Sequence, residues 1–491
     1  MLRAGRQGDS LNRYQATSPE KELLFNSVQY LTFLVAVVAV CWLLPRRIRP
    51  VFLLSASYIF YASWNPPYLL LISGLTLANY ILGMLQGRTS TRSNRILFAA
   101  IAINLLTLAI FKYLGFMDDT ARRVAAILGI AGAPPAVQLL LPLGLSFFAF
   151  EFIHYQVDLA RGGEPIRNPL RFALFPAFFP TQIAGPIKRY QDFDRQVQSL
   201  PRFDPALFAE GIELILIGLF KKVVLADNLL PLVDRVFSHP AAATSLDVWA
   251  ALLAFSLQIY FDFSGYTDIG RGSAQLLGYT VPQNFNAPYL ATSIRDFWRR
   301  WHMTLSNWLR DYLYIPLGGS RRGKWRVRLH LLITMSLGGL WHGAAWHFVA
   351  WGFGHGLALV TNHALDDRKI RLPRLLGVLV GWAATQLTVL FLWSIFRAPN
   401  LPVVAILWRH AVSLGLSTRL LHRSEVGLVC LVGAALLLTQ LLLRATQPRE
   451  RLVSAAAGVV LRPAFILLLA GVTYYFAIAH SSPHRFIYFQ F

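Results

Sequence analysis

The sequence describes an all-α polytopic membrane protein, a bundle of about 10–12 membrane-embedded helices. Composition leads there first: hydrophobic residues make up 55% of the 491 and charged residues 14%, with a mean hydropathy of +0.48. One water-soluble core of this size would not use so much apolar surface. The apolar residues also recur in runs of roughly 20, the length that crosses a hydrocarbon core of about 30 Å as a helix. Between the runs lie basic stretches, PRRIRP at 45–50, RRGKWRVR at 321–328 and DDRKIRLPR at 366–374, as the positive-inside rule expects of cytoplasmic loops. The formal charge of +22 is spread through these gaps instead of forming one patch, which argues against a nucleic-acid partner.

In chain order, residues 1–22 are a polar N-terminal extension, expected to be disordered, and residues 23–491 form one membrane domain. Its apolar runs are Val28–Leu44, Val51–Trp64, Tyr68–Leu85, Ile96–Phe111, Leu139–Leu159 and Phe172–Ile187, then Leu207–Leu225, Trp249–Phe263, Leu329–Leu365, Leu375–Phe396, Val426–Leu443 and Pro463–Ala479. Several are short or interrupted, so half-spans are expected; these are allowed only where backbone groups find partners away from lipid. Polar stretches such as Lys188 to Asp204 are too short to bury a separate core. Cys41 and Cys430 lie in distant apolar runs and read as small hydrophobes, and no cleavable signal peptide is apparent.

Chemistry is sought among ionisable groups in these runs, where hydrocarbon makes them costly. The segment YFDFSGYTDIGRGSAQLLGY at 260–279 carries Asp262 and Asp268. They either pair with arginines or cap a helix end, or take part directly in chemistry. Gly270, Ala274 and Gly278 fall four apart, which favours close helix packing. The G-x-G string here has no strand before it, so a dinucleotide site is not indicated.

A second segment, RRWHMTLSNWLRDYLYIPLGG at 299–319, reads as part of one helix starting at Ser293, with Asp296 three residues on, and ending at Pro316. At about 100° per residue, Trp298, Trp301, Leu305, Leu309 and Tyr312 share an apolar stripe with His302 at its edge, while Arg295, Arg299 and Arg310 fall beyond it. A third segment, LGGLWHGAAWHFVAWGFGHG at 337–356, lies in a run too long for one span, so a bend is expected at Gly338–Gly339 or Gly343. His342 shares a stripe with Ala345, Trp346, Val349 and Phe353, whereas His347 and His355 project elsewhere. Taken alone, such a histidine is either a structural hydrogen-bonding group or a base; burial in apolar surroundings keeps an imidazole neutral and able to accept a proton. No metal site is expected: Pro483 interrupts the one H-x-x-x-H pair, His480 and His484, and H-E-x-x-H is absent. The serine elbow G-x-S-x-G is absent too.

Taken as a set, FDFSGYTDIGRG, NFNAPYLATSIRDFWRRWHMTLSNWLRDYLYIPLGG and LWHGAAWHFVAWGFGHG, with FFPTQIAGPIKRY, GLFKKVVLADNL and the C-terminal FIYFQF, resemble the membrane-bound O-acyltransferase family and its bacterial alginate O-acetyltransferase-like branch. The resemblance runs from Leu23 to Phe491. It implies a bundle pierced by a funnel and tunnel in the bacterial cytoplasmic membrane, with an acyl group passing from a cytoplasmic thioester toward an exported polysaccharide. It also implies His342, in the W-H-G string, and His302, in the R-x-W-H string, as the catalytic pair.

The expected donor is acetyl-CoA or an acyl carrier thioester, with no tightly bound cofactor. Expected partners are membrane lipid, the polysaccharide acceptor and a separate extracytoplasmic acetyltransferase. Arg295, Arg299 and Arg310 are read as contacts for donor phosphates or as a positive-inside anchor. Trp301, Trp346, Asp262 and Asp268 complete the expected substrate-binding set. D-alanyl or other transfer from a carrier protein to a wall polymer is the alternative chemistry. A transporter and a docking scaffold are the non-enzymatic alternatives.

Overall fold

The computed structural model describes residues 23–88, 94–130, 139–183, 185–321, 323–367, 373–413, 415–446 and 467–478. The extension 1–22, His480, His484 and the FIYFQF string lie outside them. The described residues form helices and turns, without strands. Five helices are long and apolar enough to cross a membrane: Pro66–Gly87, Asn94–Ile127, Ser245–Leu276, Arg374–Arg397 and Arg423–Arg444. The other apolar runs form shorter helices, such as Val28–Leu43 and Leu401–Ala411, or helices broken part-way.

The helix Ser245–Leu276 is the axis of the bundle. Its most apolar stretch is 83% buried, against 17% to 28% in the other four long helices, so neighbours wrap it while the others present side chains outward. Its start is locked by a capping box between Thr244 and Asp247. Asp247 also accepts the backbone N–H groups of Arg419, Leu420 and Leu421 at 3.0, 3.2 and 3.1 Å, tying the loop before Arg423–Thr446 to this helix end.

The helix Pro205–Leu219 crosses the axis where Gly218 faces Gly265; a Cβ built on Gly265 would lie 2.7 Å from the Gly218 carbonyl oxygen. That close pair is not the stripe the spacing suggested. Gly270 instead abuts the Pro180 carbonyl, and Gly278 lies past the helix end at φ +86°, where it lets the chain turn away. Four-residue spacing identifies a face but not the neighbour that meets it.

Two helical readings need correction. The long run 329–365 splits into helices Lys324–His342 and Trp346–Asp367, and the break falls at Gly343, extended at φ −160° and ψ 149°. Gly338 and Gly339 stay helical, so the stripe joining His342 to Ala345, Trp346, Val349 and Phe353 ends at the break. The expected helix 293–316 starts as read, with the Ser293 hydroxyl accepting the Asp296 N–H at 3.1 Å. It then divides into Ile294–Trp298, Met303–Leu309 and a π turn Arg310–Tyr314, with His302 at φ +42° between the first two. A neighbouring segment makes the interruption possible: Asn286 N–H donates to the Arg300 carbonyl and Met303 N–H to the Asn284 carbonyl, both at 2.9 Å. Those bonds satisfy backbone groups that a continuous helix would have paired internally.

Adding one methyl group at the Gly218 crossing forces backbone against backbone. Gly265→Ala is expected to destabilise the protein by about 1–3 kcal/mol. Gly433→Ala, whose added carbon would meet only leucine methyls at 3.7 Å or more, is expected to be near neutral. Thermal unfolding of both variants in detergent checks the contrast.

Candidate active site

His302 and His342 come from separate segments and meet inside the bundle. Their ring centroids are 6.4 Å apart, and they are 1% and 6% exposed. The rings around them are aromatic: Phe263 stands edge-on to His302 at 4.6 Å, and Trp351 and Phe396 stand edge-on to His342 at 5.1 and 5.5 Å. Trp341 contacts both, at 6.3 Å from His302 and 5.0 Å from His342. Neither ring nitrogen of His302 has a hydrogen-bond partner among the described residues. An imidazole buried unpaired costs free energy unless something else completes its bonding.

His342 is the last residue of its helix, so the carbonyls before it lack intrahelical partners. The π turn Ala109–Tyr113 supplies replacements. Lys112 Nζ donates to the Trp341 carbonyl and, at 3.4 Å, to Ser146 Oγ, and the Tyr113 hydroxyl donates to the Leu340 carbonyl at 3.1 Å. A cation at a helix C-terminus is favourably placed. Sequence reading passed over Lys112, although a lysine abutting the apolar run Ile96–Phe111 was the available signal. His355, assigned to another face, is also fully buried and accepts from Trp298 Nε1 on its Nδ1 at 3.3 Å.

The remaining candidates scatter. Trp301 is 1% exposed and packs its ring against Phe285, Trp393 and Phe297 at 5.0, 5.1 and 5.6 Å. Trp346 is 56% exposed, with its ring 5.4 Å from that of Phe116. Arg295 pairs with Asp366 and Arg310 with Asp311, both at 2.7 Å, and Arg299 is exposed.

Asp262 pairs with lysine where an arginine was anticipated. Lys222 Nζ lies 2.7 Å from both Asp262 and Asp227, with all three side chains at most 9% exposed. Asp268 holds Lys221 at 2.6 Å and Arg271 at 3.6 Å. Both lysines belong to the π turn Phe220–Ala226.

Beside these pairs opens a cleft of about 370 Å³, lined by Lys221, Arg271, Arg300 and Arg444 among its cations, with Asp268, Asn284 and Phe285. Phe285 meets Phe263 at 5.1 Å, and Phe263 meets His302. One aromatic ring therefore separates the wall of the cleft from the histidine pair. Sequence reading chose three neighbouring arginines and missed these four cations, because they converge from distant segments.

The chain has counterparts among known proteins. Residues 165–407 match the membrane-bound O-acyltransferase (MBOAT) family. The chain is 40% identical over 398 residues to the "Probable alginate O-acetylase AlgI" of Pseudomonas aeruginosa, covering 79% of this chain and 74% of that protein. It is 34% identical over 381 residues to the "Peptidoglycan O-acetyltransferase" of Helicobacter pylori, covering 71% of each. It is also 29% identical over 293 residues to the "Teichoic acid D-alanyltransferase" of Bacillus subtilis, covering 57% of this chain and 71% of that protein. With its multi-pass helical bundle and paired buried histidines, the chain belongs to the membrane-bound O-acyltransferase family and is a membrane acyltransferase.

Proposed function

We propose that this acyltransferase moves an acetyl group from a cytoplasmic thioester to a hydroxyl of an exported polysaccharide, directly or through an extracytoplasmic partner acetyltransferase, in the bacterial inner membrane. The observation that carries the reading is the histidine pair, 6.4 Å apart in an aromatic box one ring from a cationic cleft. His342 takes the proton of the acceptor hydroxyl as its oxygen attacks the thioester carbonyl. The C–S bond breaks, the O-acyl bond forms, and the proton passes to the departing thiolate. A positioned histidine base contributes about 10² to 10⁴-fold.

His302, with no ring nitrogen engaged among the described residues, has an N–H to offer the carbonyl oxygen as negative charge develops there. The surrounding indoles and phenyl rings exclude water, which protects the thioester from hydrolysis. Donor phosphates suit the cleft, where Lys221, Arg271, Arg300 and Arg444 outnumber Asp268 and guanidinium can grip phosphate with two parallel bonds. Arg295, close in sequence to Arg300, pairs with Asp366 at the start of the basic stretch 366–374, which supports a cytoplasmic mouth. Likeness to proteins named as teichoic acid D-alanyltransferases supports a second reading, D-alanyl or other acyl transfer to a wall polymer, with a carrier protein as the donor.

His342→Ala is expected to abolish polymer acetylation while the protein inserts and runs as wild type on gel filtration; full activity in that variant overturns the assignment. Arg271→Gln and Arg444→Gln are each expected to raise KM for acetyl-CoA about tenfold, a loss of about 1.4 kcal/mol, with kcat unchanged. Steady-state kinetics with radiolabelled acetyl-CoA checks this. Label appearing only when acetylated carrier protein is supplied would favour the second reading.

A further inference from the structure

His302 adopts the left-handed backbone conformation, φ +42° and ψ +55°, which non-glycine residues enter at a cost and keep only where their surroundings over-determine it. Its ring nitrogens have no protein partner among the described residues. The direction of the imidazole therefore depends on the turn that carries it and on the rings it touches.

That turn is held chiefly by one residue. Asn284, fully buried, accepts Met303 N–H on its backbone carbonyl at 2.9 Å. Its side-chain Oδ1 accepts the Thr304 hydroxyl at 2.7 Å and the Thr304 N–H at 3.4 Å. Thr304 Oγ1 in turn accepts the Ile187 N–H at 3.1 Å. The next residue, Lys188, is pinned by Glu151 at 2.8 Å and Thr181 at 2.7 Å, with both ends of the Lys188–Glu151 ion pair buried. A chain of bonds thus runs from a buried ion pair through Thr304 and Asn284 to the two residues after His302. Asn284 carries a cost for this, since its Nδ2 has no partner among the described residues.

We infer that Asn284 and Thr304 form a positioning clamp that aims His302 at the reacting carbonyl. The inference rests on the role proposed above for His302. The clamp touches no reacting atom; it acts through the backbone of the turn.

The test uses full-length protein in membranes supplied with radiolabelled acetyl-CoA, scoring label delivered to polysaccharide per unit of inserted protein. Thr304→Val keeps the side-chain shape and removes the hydroxyl. It is expected to lower kcat about 10- to 100-fold, the scale of a small misplacement of a reacting group, while KM for acetyl-CoA stays near wild type. Thr304→Ser, which keeps the hydroxyl, is expected to restore most of the rate. In a His302→Ala background, Thr304→Val is expected to cause no further loss, because the clamp then has nothing to aim. Wild-type kcat in Thr304→Val, or an equal added loss in the His302→Ala background, overturns the clamp. Full activity in His302→Ala alone overturns instead the role of His302 on which it rests. Should Thr304→Val fail to accumulate, Thr304→Ala removes the same hydroxyl with less bulk and is judged by the same outcomes.

Discussion

A polar backbone group away from water must find its partner within the protein, and this constraint decides where helices in the bundle can stop. Both central histidines sit at such stops. His342 ends one helix and His302 immediately precedes another, so each stands where the regular ladder of bonds fails. The protein meets the shortfall from far along the chain: Lys112 and Tyr113 serve the carbonyls of Trp341 and Leu340, and Asn284 serves the N–H groups of Met303 and Thr304. A broken helix places a side chain where a continuous one would place it differently, and the supporting bonds are what make the break tolerable.

Charge in the interior follows the same logic. Lys222 lies between Asp262 and Asp227, and removing the lysine from such a buried group would leave two uncompensated carboxylates, which costs far more than the intact group contributes. Its neighbour Lys221 bonds Asp268 and lines the cleft. Adjacent residues in a helical turn point in different directions, so one lysine secures the π turn to the axial helix while the next faces an opening. Close packing at Gly218 and Gly265 allows both arrangements by bringing the two backbones together.

Much of this architecture was legible in the sequence, and the failures share a cause. Apolar runs identified the membrane class, glycines marked a bend at 338–339 or 343 that falls at the second of these, Ser293 marked a helix start, and His302 and His342 were singled out before their proximity was visible. The helical period continues through Trp298, Trp301, Leu305 and Tyr312, yet bonds from residues 284 and 286 interrupt it, and no local pattern announces a partner that far away. Trp346 looked adjacent to His342 only because one helix was drawn across the break. The cleft cations come from the segments of Lys221, Arg271, Arg300 and Arg444, which only the fold assembles; Arg295 and Arg310, conspicuous in the sequence, lie outside that lining. Lys112 was passed over because a charged residue reads naturally as the edge of an apolar run.

Lys112 also bears on how the protein is made. It lies within the long helix Asn94–Ile127, and its carbonyl acceptor is 229 residues further along the chain. At a synthesis rate of about 5–20 residues per second, that separation is about 10–45 seconds. During this interval the amine lacks the carbonyl that it holds in the folded bundle. The support for the end of the helix that carries His342 therefore closes only after the later segment has been made, joining a new helix end to an older one.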